Sequence, residues 1–220
     1  MLARMMVAGW SVAALAVAMA SPAVAGVFTF STGSPNGLIG TLSSPGGGGQ
    51  LETQTADDFF LPSETLINHA TFVGLLPSGA SLSSVATVQV GFYDIFPISS
   101  TNPPSGNVPS RVNSPSDVAF ATASSGAGTL SFTTTLLAST FTVKNTVVNG
   151  IHKSPNSFTG GEGPATGEEV LFDVTFTTAF DLEGHDFFSP EVGLTSGNFL
   201  WLSAPKPITT GTPFTPDLQS

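Results

Sequence analysis

The chain has no cysteine. Disulfide stapling, thiol nucleophiles and cysteine-ligated zinc are therefore all excluded, and an oxidising compartment would permit disulfides without requiring them. Basic residues are nearly as scarce, with five Lys and Arg against 15 Asp and Glu, for a net charge of −10. A nucleic-acid interface needs a basic patch or stripe, and five scattered cations cannot make one. Tyrosine occurs once and tryptophan twice, so an array of flat, exposed aromatics for stacking ligands has few residues to draw on. Charged residues make up only 9% of the chain, leaving Ser, Thr, Asn, Gly and Pro to cover the surface.

Motifs that announce a reaction are missing too. His69, His152 and His185 are scattered, and no H-E-x-x-H spacing joins them. There is no G-x-S-x-G elbow to single out one of the many serines. The glycine run Gly46 to Gly49 lacks the lysine and the following helix of a phosphate loop, and reads as a flexible connection.

What is present begins with a leader. Met1 to Met6 carries Arg4, Val7 to Ala20 is apolar and small, and Ala23-Val24-Ala25 precedes Gly26. A charged start, a short apolar run and a small-x-small site predict a cleaved secretory signal peptide over residues 1–25. The apolar run is short for a membrane span and ends at Ser21-Pro22. Loss of Arg4 takes the net charge from −10 to −11. The remaining chain of about 195 residues suits one domain with a real core. Phenylalanine, present 18 times, is the obvious core material, since it buries a large area and needs no polar partner.

The clearest periodicity lies in Glu168 to Leu182. Val170, Phe172, Val174, Phe176 and Phe180 share one parity, while Asp173, Thr175, Thr177 and Asp181 share the other. That alternation predicts a half-buried strand. Further strands are expected at Gly26–Phe30, Thr55–Leu61, Thr65–Leu76, Val85–Phe96, Asp117–Ala123, Thr129–Leu137, Ser139–Val148 and Asn198–Ser203. A segment at Phe187–Leu194, interrupted by Pro190, reads as an edge strand or its start. Glu183-Gly184-His185 reads as the turn before it. Two long connections, over 97–116 and 152–167, are rich in proline or glycine. The expected fold is all-β: a two-sheet antiparallel β-sandwich, jelly-roll-like, of about nine strands. It would span residues 26–203, followed by a Pro-rich segment over 204–220.

Several stretches together resemble a known group. They are T-A-D-D-F-F-L-P (Thr55 to Pro62), T-F-V-G-L-L-P-S-G (Thr71 to Gly79), V-G-F-Y-D-I-F-P (Val90 to Pro97), N-V-P-S-R-V-N-S-P-S-D-V-A-F (Asn107 to Phe120), G-T-L-S-F-T-T-T (Gly128 to Thr135), T-G-G-E-G-P-A-T-G-E-E-V (Thr159 to Val170) and G-N-F-L-W-L-S-A-P-K-P-I (Gly197 to Ile208). In these the chain resembles uncharacterised exported bacterial proteins of the type that carry PEP-CTERM sorting tails. The resemblance implies a secreted or surface-sorted β-domain and supplies no catalytic residues. Chains of that group run on past D-L-Q-S into further β sequence and a sorting tail. Here the sequence stops at Ser220 without a P-E-P motif, so a truncated chain is the expectation.

Acidic residues are the main candidates for chemistry. Asp181, Glu183 and Asp186 place three carboxylates within six residues around Gly184, a calcium candidate if they converge on a tight turn, and otherwise a solvated acidic turn. Asp57 and Asp58 are adjacent, so on a strand one must point inward, where it needs a hydrogen-bonding or basic partner or a metal. The structural role is favoured for that pair. Glu162, Glu168 and Glu169 flank the second glycine-rich loop, and paired carboxylates could hydrolyse glycosides if their separation suited it. Trp201, Arg111 and Glu162 are the residues a polysaccharide ligand would use, although Phe199 shares the parity of Trp201 and points to burial.

These observations favour an exported, non-catalytic cell-surface or extracellular-matrix protein. The alternatives are a carbohydrate-binding module, calcium-dependent or not, and, more distantly, a secreted hydrolase using paired carboxylates. No nucleic-acid partner and no transmembrane span in the mature chain are expected.

Overall fold

The computed structural model describes residues 34–46, 52–100, 114–148 and 162–204. The strand expected at Gly26–Phe30, together with Arg111, His152 and the segment after residue 204, lies outside them. Eight strands are present among the described residues: β1 (Ile39–Leu42), β2 (Asp57–Pro77), β3 (Val85–Tyr93), β4 (Ala121–Ser124), β5 (Leu130–Val143), β6 (Asn145–Val147), β7 (Ala165–Leu194) and β8 (Leu200–Leu202). The only helical element among them is a single 3₁₀ turn at Leu82–Ser84, capped by the Ser81 hydroxyl. No helix in the described residues is long and apolar enough to cross a membrane. The fold is all-β and sandwich-like.

The strands form one hydrogen-bonded sheet in the order β4-β3-β7-β2-β8-β1-β6, with β5 also paired to β7. All pairings are antiparallel except β1 with β6. Two of the strands are much longer than alternation alone predicts. Thr55–Leu61 and Thr65–Leu76 belong to one strand, β2, and Glu168–Leu182 and Phe187–Leu194 belong to one strand, β7. The residues that look like breaks are bulges. Pro62, Ser63 and Glu64 lie between the pairs Leu61↔Gly184 and Thr65↔Leu182, opposite Glu183 alone. A proline fits there because a bulged residue need not donate to the ladder. Gly184 takes φ +92°, a backbone conformation that side chains resist, so the expected turn is an irregularity inside a continuous strand.

β2 and β7 form an antiparallel ribbon along nearly their whole length, Asp57 opposite Phe188 and Pro77 opposite Gly167. The ribbon is folded over on itself. Phe72 pairs in register with Phe172, yet its ring centroid lies 6.4 Å from that of Phe188. Phe172 and Phe188 are 16 residues apart in one strand, roughly 53 Å if it ran straight. Phe92, which pairs with Phe188, likewise meets Phe176 at 6.1 Å. The bend falls where the register slips between Ile67↔Phe180 and His69↔Thr175. Even-numbered residues of β7 line the inside of the fold on both sides of the bend: Val170, Phe172, Val174, Phe176, Leu182 and Val192 are all buried. Across from them sit Phe59, Leu61, Val88, Val90 and Phe92. Burying a phenylalanine side chain stabilises by about 2–3 kcal/mol each, so this aromatic interior holds the two layers together.

β8 closes one flank. It pairs with β2 at Gly74↔Trp201 and Leu75↔Leu200, and with β1 on its other side. Gly74 is required there, because any Cβ at this position would run into the Phe199 ring. The other face of this flank carries a second, smaller core of Leu75, Val143, Leu200 and Leu202.

Candidate functional site

Buried polar groups are concentrated at one end of the fold, where β2, β3 and the second half of β7 meet residues 43–46 and 52–55. Beyond the start of β2, the flank of β7 is covered by these residues instead of a strand. The Ser43 amide oxygen accepts from Val192 N at 3.1 Å, and the Ser43 hydroxyl donates to Pro190 O at 2.7 Å. Ser189 donates its hydroxyl to Thr55 O at 2.9 Å, and Thr55 N donates to the Ser43 hydroxyl at 3.2 Å. Pro190 therefore sits where β7 is locally an edge, which is where a proline can be accommodated.

Asp58 and His185 form the first ionisable pair of this region. Asp58 faces Phe187 and His185 faces Phe60 across the β2–β7 ladder. Alternation puts Asp58 and His185 on the same face, and His185 Nε2 lies 2.7 Å from Asp58 Oδ2, with side chains 5% and 4% exposed. Phe187 stacks on the imidazole at 5.6 Å. The inward member of the Asp57–Asp58 pair thus has the basic partner that burial requires.

Tyr93 and Glu191 form the second group. Gln54 donates its amide to Glu52 Oε1 at 2.8 Å and to Glu191 Oε1 at 3.0 Å. Burial pushes the Glu191 carboxyl up to about 7, against the lowering effect of the Gln54 bond and with a further push from Glu52. Burial also raises the Tyr93 hydroxyl, helped by Glu191 nearby. Asp186 is the third ionisable feature. It is buried beside Phe59, and burial followed by repulsion from Asp94 lifts its carboxyl to about 6.

The three carboxylates that sequence spacing brings together are separated by the strand. Because β7 continues through Gly184, Asp181 and Glu183 share the exposed odd face, and Asp186 points to the buried even face. Asp181 instead meets Glu64 of β2, and a hydrogen bond between the two raises the Glu64 carboxyl. Among the described residues no group of three or more His, Asp or Glu is placed to hold a metal ion.

Of the three expected ligand residues, Trp201 and Glu162 lie among the described residues. Trp201 is half-buried in β8 with its ring edge-on to Phe188 at 6.1 Å, as part of the interior packing. Glu162 is exposed, and its carboxylate accepts from Val148 N at 3.3 Å beside β6. Arg111 lies outside the described residues. Glu168 and Glu169 are neighbours on β7, opposite Leu76 and Leu75, so they point to opposite faces. Partial burial raises the Glu169 carboxyl.

Sequence reasoning places His185 in a loop and does not single out Glu191 or Asp94. Glu191 follows Pro190, and Asp94 follows the last residue of β3. The burial of Glu191 depends on the arrival of residues 43–46 and 52–55 and on the β3–β7 register, and neither leaves a local signal. Comparisons with protein families, curated proteins and solved structures gave no match.

Proposed function

We propose that this is an exported, non-catalytic β-sandwich protein that works at the cell surface or in the extracellular matrix. The observation that supports it best is the division of side chains between the outside and the inside of the fold. On the outer face of β5, β7 and β2, cross-strand rows read Ser131–Thr175–His69 and Thr133–Asp173–Thr71. Ser131, Thr133, Thr175, Thr71 and His69 are exposed. Short hydroxyl side chains hydrate these rows of the sheet without adding apolar surface, which suits a secreted scaffold. The buried ionisable groups, by contrast, are held between strands, and Asp58 and His185 retain only about a twentieth of their side-chain surface. Groups so enclosed serve the fold and are poorly placed to meet a macromolecular substrate. The leader pattern at Met1 to Ala25 supports export.

The test is expression of the full chain with a C-terminal tag in a Gram-negative host, followed by fractionation and intact-mass measurement. The expected product lies outside the cytoplasm and begins at Gly26. Recovery of the full-length chain with its leader only in the cytoplasm would overturn export. Turnover of a polysaccharide panel by the purified protein, lost in a Glu168→Gln, Glu169→Gln variant, would overturn the non-catalytic reading.

A further inference from the structure

Two edges of the sheet lie open on one flank. Among the described residues β4 pairs only with β3, and β5 only with β7. β3 and β4 belong to the layer built on the second half of β7, and β5 to the layer built on its first half. The turn that joins β4 to β5 crosses between the layers on this flank. It is closed by Thr129 N donating to Ser124 O at 3.1 Å and Ser124 N donating to the Thr129 hydroxyl at 2.8 Å.

An open edge offers unpaired backbone N–H and C=O groups to any strand that arrives, and exposed edges are commonly guarded by charge, proline or a cover. The β6 edge has a cover. Glu162 N donates to Thr146 O at 3.2 Å, Gly163 N donates to Asn145 Oδ1 at 3.2 Å, and Lys144 stands just before the strand. The β4–β5 flank has no such guard. No charged residue and no proline occurs from Val118 to Val143. The pairing of β5 with β7 is regular from Leu130 to Leu136 and slips only beyond it, so seven residues of straight strand are available. Exposed apolar side chains gather here as well: Val118 and Phe120 lead into β4, and Leu136 and Leu137 end the regular part of β5. Phe132 and Ala121 are only partly buried against the core, so this side of the interior is incompletely closed.

Charge decides which strand fits the edge. A chain of net charge −10 repels its own copies over most of its surface, and a basic partner would be drawn to the acids, none of which lies on β5. Two copies of β5 set uncharged residues against uncharged residues. Threonines facing each other across an antiparallel pair attract, whereas like charges there repel. We propose that β5 is a homodimer interface, in which Leu130–Leu136 pairs antiparallel with the same strand of a second copy, with Thr133 to Thr135 at the centre. The two sheets then become continuous across a two-fold axis, and Leu136 and Leu137 are covered. A two-fold contact uses each edge once, so the assembly closes at two chains. This interface does not depend on whether the protein is exported.

The experiment is sedimentation of the purified protein across a dilution series. The expected species has twice the mass of one chain and gives way to the single chain on dilution. Thr135→Lys, at an exposed position, sets like charges beside the axis and should sediment as the single chain, with its circular dichroism unchanged. Thr71→Lys makes the same change on the same outer face, two strands in from the edge, and should keep the double mass. Because the chain has no cysteine, Thr134→Cys supplies one thiol per copy. Oxidation should link it into a covalent dimer, since directly paired strand positions lie within disulfide reach, and Thr71→Cys should stay unlinked. A wild type that sediments as the single chain throughout would overturn the proposal, whatever then covers the edge. So would a double mass that survives in Thr135→Lys, or one that Thr71→Lys abolishes equally.

Discussion

Residues 170–176 and 185–191 lie on the same strand, β7, and both are largely buried, but they are buried by different means. In the first stretch the inward positions are Val170, Phe172, Val174 and Phe176, and the odd positions face solvent or lie partly covered. Its cohesion is dispersion and apolar burial, with Phe172 stacked on Phe72 at 4.9 Å and edge-on to Phe199 at 5.3 Å. In the second stretch both parities are covered, and Asp186, Ser189 and Glu191 are buried together with Phe187. A strand with one covered face can satisfy the alternation code with apolar residues alone. A strand covered on its second face by an irregular segment must also exchange hydrogen bonds with that segment, as the Ser189 hydroxyl does by donating to Thr55 O and the Ser43 hydroxyl by donating to Pro190 O. The cost is a set of buried ionisable groups that need partners.

The contrast can be broken most severely in the apolar half. Phe172→Ala leaves a cavity between Phe72 and Phe199 and should destabilise by about 4 kcal/mol in urea unfolding. A loss under 1 kcal/mol would mean that this interior is not tightly packed. In the polar half, His185→Ala removes one member of a buried pair and should cost about 3 kcal/mol. A double-mutant cycle with Asp58→Ala should return a coupling well above the few tenths expected of independent sites.

Glu191 sharpens the contrast through pH. Its carboxyl is held at about 7 in the fold against an ordinary 4.5, so the folded state binds the proton more tightly than the unfolded chain. The associated stability is fully present below about pH 4.5 and is lost as pH rises through about 7. Glu191→Gln should flatten that part of the profile and gain on the order of 1 kcal/mol at pH 8. An unchanged slope of Tm between pH 5 and 8 would remove Glu191 as its source. Asp186, raised from 3.8 to about 6, contributes in the same direction.

The smallest effect belongs to the exposed face. His69 Nε2 and Asp173 Oδ1 are 2.8 Å apart with about half of each side chain in solvent. Solvent screening leaves such a pair about 0.5 kcal/mol or less. His69→Ala should therefore barely move the urea midpoint, although its distance matches that of the Asp58–His185 pair.

Much of the fold was legible in the residues. Phe-rich parity in 170–176 marks the inner wall, Val88, Val90 and Phe92 mark its counterpart, and Phe199 beside Trp201 marks β8 as packing. The breaks were not legible. Pro62 and Gly184 carry the same local signal in a turn as in a bulge, and which one forms depends on whether a partner strand continues past them. The calcium grouping failed to assemble for the same reason: with Gly184 inside a strand, alternation separates Asp186 from Asp181 and Glu183. The inward orientation of Asp58 followed from adjacency, but its partner, 127 residues away, did not.

The sequence by itself determined the all-β class and the apolar parity of the main strands, because a pleated strand repeats every two residues and the pattern is written locally. It also limited the cations available to a strongly acidic chain. Only the tertiary structure decided that β2 and β7 are continuous and folded over, that residues 43–46 and 52–55 cover the polar half, and that His185 meets Asp58. Those are matters of register and coverage between residues far apart in the chain, and a local pattern does not encode which distant backbone will lie against it.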